Sequence, residues 1–168
     1  CFGVRSLALD AAGNLYVGTF PEGKLFRISP DGHGTLICQL PAQYLWAMAY
    51  DRDGRLLVAT GPEGRLFAVN DQGQASEVVR VPQNHILALL PRADGLYLAT
   101  AGRGLVYRWT PPQRLEALFD AETQDVTCLA GAADGPVFAG LAPEGKVLRL
   151  AVGQAPACAK ACPTGAIQ

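Results

Sequence analysis

Few residues in this 168-residue chain are equipped for chemistry: two histidines, five cysteines and a scatter of carboxylates. No metal-ligand set and no nucleophile–base pair can be picked out from their spacing. His33 falls in a polar turn and His85 at the start of a strand, so both are expected to be ordinary surface histidines. Cys38 and Cys128 lie within strand-like segments and are expected to be buried as small apolar residues. Five cysteines is an odd number, and their spacing is not that of a disulfide framework, which leans slightly toward a reducing compartment without assigning one. Glu22, Glu63 and Glu144 recur at one position, with Arg103 in the third place. Paired carboxylate catalysis needs acids that converge in different environments. Residues repeated around a rim diverge, and these are expected to be solvated turn residues.

The frame that must position these groups is a repeat. Gly23, Gly64, Gly104 and Gly145 are spaced 41, 40 and 41 residues apart, and Gly13, Gly54, Gly95 and Gly135 are spaced 41, 41 and 40. Two glycine ladders with one period mark tandem structural units. Each copy reads as four short strands. In the first they are SLALD, NLYVGT, KLFRI and TLICQL, separated by a D-x-x-G turn, a P-E-G turn and an S-P-D-G turn. No window carries sustained helical periodicity. The first strand of each copy is apolar on both faces, with Val4, Leu45, Ile86 and Val126 on one and Leu7, Met48, Leu89 and Leu129 on the other. A one-sided sheet would alternate more cleanly. Sheets covered on both faces fit β-propeller blades stacked around an axis, where the small column Ser6, Ala47, Ala88 and Cys128 would relieve crowding. A solenoid of four-stranded units is the competing architecture.

The expected fold class is therefore all-β, a β-propeller of four blades of about 41 residues. Residues 1–41, 42–82, 83–123 and 124–150 form the blades, and residues 151–168 a tail outside the propeller. The last blade is incomplete, since it stops after its third strand at Leu150, and the whole reads as an open arc or a fragment. Its start at Cys1 is better read as a fragment's than as a mature lipoprotein's. The outer blade faces should then be exposed and complementary, predicting association with missing blades or a second copy.

Composition excludes several classes. With 49% apolar and 17% charged residues the chain is not disordered. A net charge of −1 gives no footprint for nucleic acid or an anionic membrane. No apolar run reaches the length of a membrane span, and no signal peptide is visible, so the localisation is not assigned.

The repeated L-A-L-D-x-x-G-N-L-Y-V-G-T of Leu7 to Thr19, followed by G-K-L-F-R-I at Gly23 to Ile28, resembles bacterial propellers of the NHL, streptogramin-lyase and gluconolactonase-like superfamily. The resemblance covers residues 1–150 and implies the fold. One blade motif serves lyases, lactonases and binding scaffolds alike. The lactonases would imply a divalent metal held by carboxylates and amides on the axis. Here Asp125 is the sole carboxylate on the axial strands. In the tail, Cys158-x-x-x-Cys162-Pro163 resembles half of a ferredoxin-type [4Fe–4S] motif, but the two earlier cysteines would fall near Ala151 and Gln154.

Recognition is better sought where the copies differ. Repeated positions answer to the fold, and unrepeated ones are free to bind. At the start of the first strands the columns read Phe2, Gln43, Asn84 and Gln124, then Gly3, Tyr44, His85 and Asp125, and two residues on Arg5, Trp46, Leu87 and Thr127. These positions rim one mouth of the channel, beside the P-E-G turns, in the aromatic and polar mixture of a binding surface. The alternative is that Tyr44 and Trp46 simply fill space between blades. The expected function is a non-enzymatic binding or scaffold module recognising a protein or small-molecule ligand through Arg5, Gln43, Tyr44, Trp46, Asn84, His85, Gln124 and Asp125, with no cofactor. A fragment of a metal-dependent lactonase- or lyase-like enzyme is the first alternative. An electron-transfer component using Cys158 and Cys162 is the second.

Overall fold

A computed structural model describes residues 3–122, 124–132 and 134–150. They form β-strands joined by turns, with no helix among them. The first sheet contains β1 (Gly3–Leu9), β2 (Leu15–Phe20), β3 (Lys24–Ile28) and β4 (Gly34–Gln39). The second contains β5 (Tyr44–Tyr50), β6 (Leu56–Gly61), β7 (Arg65–Val69) and β8 (Ala75–Arg80). The third contains β9 (His85–Arg92), β10 (Gly95–Ala101), β11 (Leu105–Thr110) and β12 (Arg114–Asp120). The fourth contains β13 (Asp125–Gly131), β14 (Val137–Ala142) and β15 (Val147–Leu150). In each sheet the strands lie side by side in chain order. This antiparallel meander follows from connections too short to cross over. The proposed tail, 151–168, lies outside the described residues.

The turns close through the polar residues that the repeat supplies. Asp10 Oδ1 accepts from the backbone N–H groups of Ala12 and Asn14 at 2.9 and 2.8 Å, and Asp51 does the same for Asp53 and Arg55. These are Asx turns, and glycine follows because the chain must enter positive φ, +84° at Gly13 and +76° at Gly54. The third copy has Arg92 where the first two have Asp10 and Asp51. Its guanidinium is instead buried against the carbonyls of Ala132 and Gly135, the latter at 2.9 Å.

The second turn of the first three copies is latched by a threonine that sequence reasoning did not single out. Thr19, Thr60 and Thr100 are buried, and their hydroxyls donate to the carbonyls of Lys24, Arg65 and Leu105 at 2.9, 2.8 and 2.9 Å. Leu141 holds the fourth position and has only a backbone bond, from its N–H to Lys146 O at 2.8 Å. The glycine ladder beside it serves close backbone approach. The N–H of Gly64 donates to Asn84 O at 2.7 Å and its carbonyl accepts from Val81 at 2.9 Å.

The chain divides into two compact units, Cys1–Ile86 and Leu87–Gln168. The core of the first gathers Leu25, Leu40, Leu45, Leu56, Val58, Phe67 and Val69. That of the second gathers Tyr97, Val106, Val126, Val137, Leu141 and Leu150, with Ala99 and Ala139. Within the first unit, β5 packs on β1 and β2. Ser6 Oγ donates to Leu45 O at 2.7 Å, and the bare Cα of Gly18, opposite Ser6, leaves room for the Leu45 side chain.

Two expectations about burial need correction. Cys128 is exposed. It is the counterpart of Ser6, but no later strand among the described residues lies over it as β5 lies over Ser6. Cys38 is half-buried, and burial raises its thiol pKa. Val4 is 59% exposed, although its counterparts Leu45, Ile86 and Val126 are wholly buried. Leu7 and Leu9 are exposed beside it, so the two-faced apolar character of these strands is not matched by two-faced burial in β1.

Candidate functional site

Strand pairing places the first-unit members of the variable columns at one edge of that unit. Gly3 lies opposite Phe20 and Tyr44 opposite Gly61, at the ends of β2 and β6 that lead into the P-E-G turns. Both β1 and β5 carry a bulge next to this edge. The register slips between Val4 and Ser6, and again between Leu45 and Ala47. The extra residues are Arg5 and Trp46. A bulge leaves its extra residue outside the ladder and turns its side chain away from the regular alternation. The same slip occurs in β13 between Val126 and Cys128, with Thr127 as its extra residue.

The two bulge residues meet. The Arg5 guanidinium carbon lies 4.6 Å from the centre of the Trp46 ring, a cation–π contact. Trp46 stacks on Tyr44 at 4.9 Å and 14°, and Tyr44 on Phe20 at 6.1 Å and 23°. His85 stands edge-on to both, 5.5 Å from Trp46 and 5.9 Å from Tyr44. The Trp46 indole N–H donates to His85 Nδ1 at 2.9 Å. His85 is thus half-buried and hydrogen-bonded, not the free surface histidine expected from sequence. His33 is exposed in its turn.

Two glycines make room for this cluster. A Cβ on Gly61 would stand 2.0 Å from His85 Nδ1 and 2.7 Å from Trp46 Nε1, on top of the hydrogen bond itself. A Cβ on Gly3 would stand 2.2 Å from the Phe20 ring. Phe20 and Gly61 were not singled out from sequence, because they sit among residues that otherwise repeat. The signal was available: where the first copy has T-F-P and the second T-G-P, ring and void exchange places.

The other predicted residues fall differently. Gln43 and Asn84 flank the cluster in sequence and have exposed side chains, while their backbones bond to Gly61 O and Gly64 N–H. Gln124 and Asp125 belong to the second unit. Asp125 accepts from the Gly102 N–H at 2.7 Å, a turn-closing role. The turn carboxylates are engaged locally: Glu22 with Lys24 at 2.5 Å, Glu63 with Arg65 and Arg80, and Glu144 with Lys146. Lys146 holds the Glu144 carboxyl below its ordinary value.

A groove of about 550 Å³ opens at the opposite edge of the first unit, lined by Leu9, Asp10, Ala12, Tyr16, Tyr50 and Asp71. Its tyrosine rings meet edge to face at 6.2 Å. Burial pushes the Tyr50 phenol well above the ordinary tyrosine value, and neighbouring Tyr16 and Asp10 add to the shift.

Among the described residues no group of three or more His, Cys, Asp or Glu side chains could hold a metal ion. The described residues thus offer no such carboxylate-bearing group for the divalent metal that the lactonase resemblance implies. Cys158 and Cys162 lie outside the described residues, and the likenesses to known structures concern propellers and give the iron–sulfur motif no support. No helix among the described residues is long and apolar enough to cross a membrane.

Sheets of this construction define a β-propeller segment, and solved structures agree. The chain is similar to a catalytically inactive virginiamycin B lyase from Staphylococcus aureus with quinupristin, with TM-score 0.76 and 11% identity over 90% of this chain and 53% of that one. It is similar to a chain of a nidogen/laminin complex, with TM-score 0.76 and 15% identity over 88% of this chain and 60% of that one. It is also similar to an auxiliary nutrient binding protein from Bacteroides thetaiotaomicron, with TM-score 0.71 and 12% identity over 88% of this chain and 38% of that one. The chain spans about half the length of the virginiamycin B lyases it matches. At these identities the likeness is one of fold. No protein-family model matches the chain, and no curated protein matches it.

Proposed function

We propose that residues 1–150 form a propeller module that binds a protein or small-molecule partner without transforming it, with Arg5, Tyr44, Trp46 and His85 as the recognition surface. Gln43 and Asn84 border it, and Gln124 and Asp125 supply the corresponding positions of the second unit. The observation that carries this reading is the contact between two bulge residues, Arg5 over Trp46 at 4.6 Å. A bulge costs ladder hydrogen bonds and is retained where a side chain must be re-aimed. Here it presents an arginine and a tryptophan, two residue types that dominate binding energy at interfaces. Similarity in fold to a chain of a nidogen/laminin complex and to an auxiliary nutrient binding protein supports a binding reading.

The test is a thermal-shift screen of small molecules and peptides on the full chain. Hits should lose their effect when Trp46 is changed to Phe and His85 to Ala together, in a variant that keeps its far-ultraviolet spectrum. Hits indifferent to those changes would place recognition elsewhere. Catalytic opening of a cyclic lactone by the chain would favour the lyase-like alternative, for which the virginiamycin B lyase fold is the supporting observation.

A further inference from the structure

The charges around the Arg5–Trp46 cluster are not balanced. The carboxylates of the adjacent turns are committed: Glu22 to Lys24, Glu63 to Arg65 and Arg80. Arg5 has an exposed side chain and its contact is with the Trp46 ring, with no carboxylate partner among the described residues. A guanidinium lying on an aromatic face keeps its planar N–H fork free for a second partner, and it is already held in place.

His85 adds a second donor. Indole N–H can only donate, so Nδ1 of His85 must be the unprotonated nitrogen that accepts it. The neutral ring then carries its hydrogen on Nε2. Trp46 therefore fixes the tautomer, and Nε2–H has no acceptor among the described residues. The cluster offers two preset donors attached to one indole: Arg5 over its face and His85 at its N–H edge. Beside them lies the stacked apolar surface of Tyr44 and Phe20.

Taking the recognition surface proposed above as the starting point, we propose that its ligand carries a carboxylate on an aromatic body, the carboxylate accepting from Arg5 and from His85 Nε2–H while the ring packs on Tyr44 and Phe20. A charged acceptor is favoured over a neutral one because charge-assisted hydrogen bonds are about twice as strong as neutral ones. A cation is disfavoured by Arg5 itself.

The probes are benzoate, its neutral isostere benzamide, and benzylammonium, titrated into the full chain by ligand-observed NMR. Benzoate should bind at least about tenfold more tightly than benzamide, and benzylammonium should show no binding. Arg5→Gln should remove that preference, weakening benzoate far more than benzamide. Arg52→Gln, an exposed arginine in a turn at the other edge, should change nothing. Equal binding of benzoate and benzamide, no benzoate binding at all, or insensitivity to Arg5→Gln, would overturn the carboxylate inference. Trp46→Phe with His85→Ala separates the two levels. If it weakens both probes alike while Arg5→Gln does nothing, the surface stands and the ligand class falls. If it leaves both untouched, the surface itself is wrong.

Discussion

The indole N–H of Trp46 and Nδ1 of His85 are joined at 2.9 Å across 39 positions of sequence, and Gly61 lies directly beneath that bond. The bond ties the start of β9 to β5. It turns two residues from variable columns into one rigid group.

Gly61→Ala is the sharpest probe of this arrangement. The new methyl would overlap both nitrogens, so either the bond breaks or the strand shifts. Overpacking of this kind costs about 1–3 kcal/mol. Urea unfolding should show the loss, and Trp46 emission should shift as its hydrogen bond is lost. Ala101→Gly, at the corresponding position of the third copy, should lack the spectral change.

Arg103 and Asp120 repeat the positions of Glu63 and Arg80 with the signs exchanged, 17 residues apart in both pairs. These two copies therefore place opposite charges there, in either order, while the first copy has Glu22 and Gln39. Arg103→Glu sets two acids together and should lower the urea midpoint at low salt. Adding Asp120→Arg should recover it. The coupling should shrink in high salt, as exposed pairs do. A double variant no better than the single would show that the two side chains do not interact.

Asp94 sets an acid limit in the second unit. Burial would raise its pKa, but the Tyr97 hydroxyl at 2.9 Å and Arg108 at 3.1 Å outweigh this and hold it below the ordinary 3.8. A carboxyl depressed on folding contributes stability above its unfolded value and loses it as pH falls through the folded one. Stability should decline below pH 3.8, and Asp94→Asn should flatten that decline while lowering stability at neutral pH. Unfolding midpoints measured across the acid range check both.

The exposed Val4, Leu7 and Leu9 predict association of the purified chain. Leu45, the counterpart of Val4, is buried in the seat of Ser6 and Gly18. Cys128 and Gly140 pair in the register of Ser6 and Gly18 and form the same kind of seat, so a second copy can supply the missing half. Sedimentation at micromolar concentration should show self-association, and Val4→Glu should reduce it. A clean monomer would mean that this face is satisfied within one chain.

The turns and strands were legible from sequence because the same backbone demand recurs in every copy. A glycine between Asn84 O and Val81 N–H, or after an Asx turn, is required by local geometry that 41-residue spacing displays. The columns holding Arg5, Tyr44, Trp46 and His85 were legible for the opposite reason, since they break the repeat. What could not be read was the effect of neighbours. Cys128 and Ser6 occupy one column, yet one is exposed and the other covered, because burial depends on the strand packed above. The bulges were hidden too. They change which way Arg5 and Trp46 face without changing the residue pattern, and so the contact between them had no sequence signature.

The threonine latch has a kinetic corollary. Thr19 and Thr100 both receive the backbone N–H that follows their turn, from Lys24 at 3.2 Å and Leu105 at 2.9 Å, and Thr60 ties down the carbonyl of Arg65. Leu141 has no hydroxyl to give, and only its own amide spans the last turn. Local opening needs fewer bonds broken there than at the other three. In native-state hydrogen exchange the amide of Leu141 should trade its proton soonest among these strand ends, and the molecule should loosen from that turn while the first three copies stay shut.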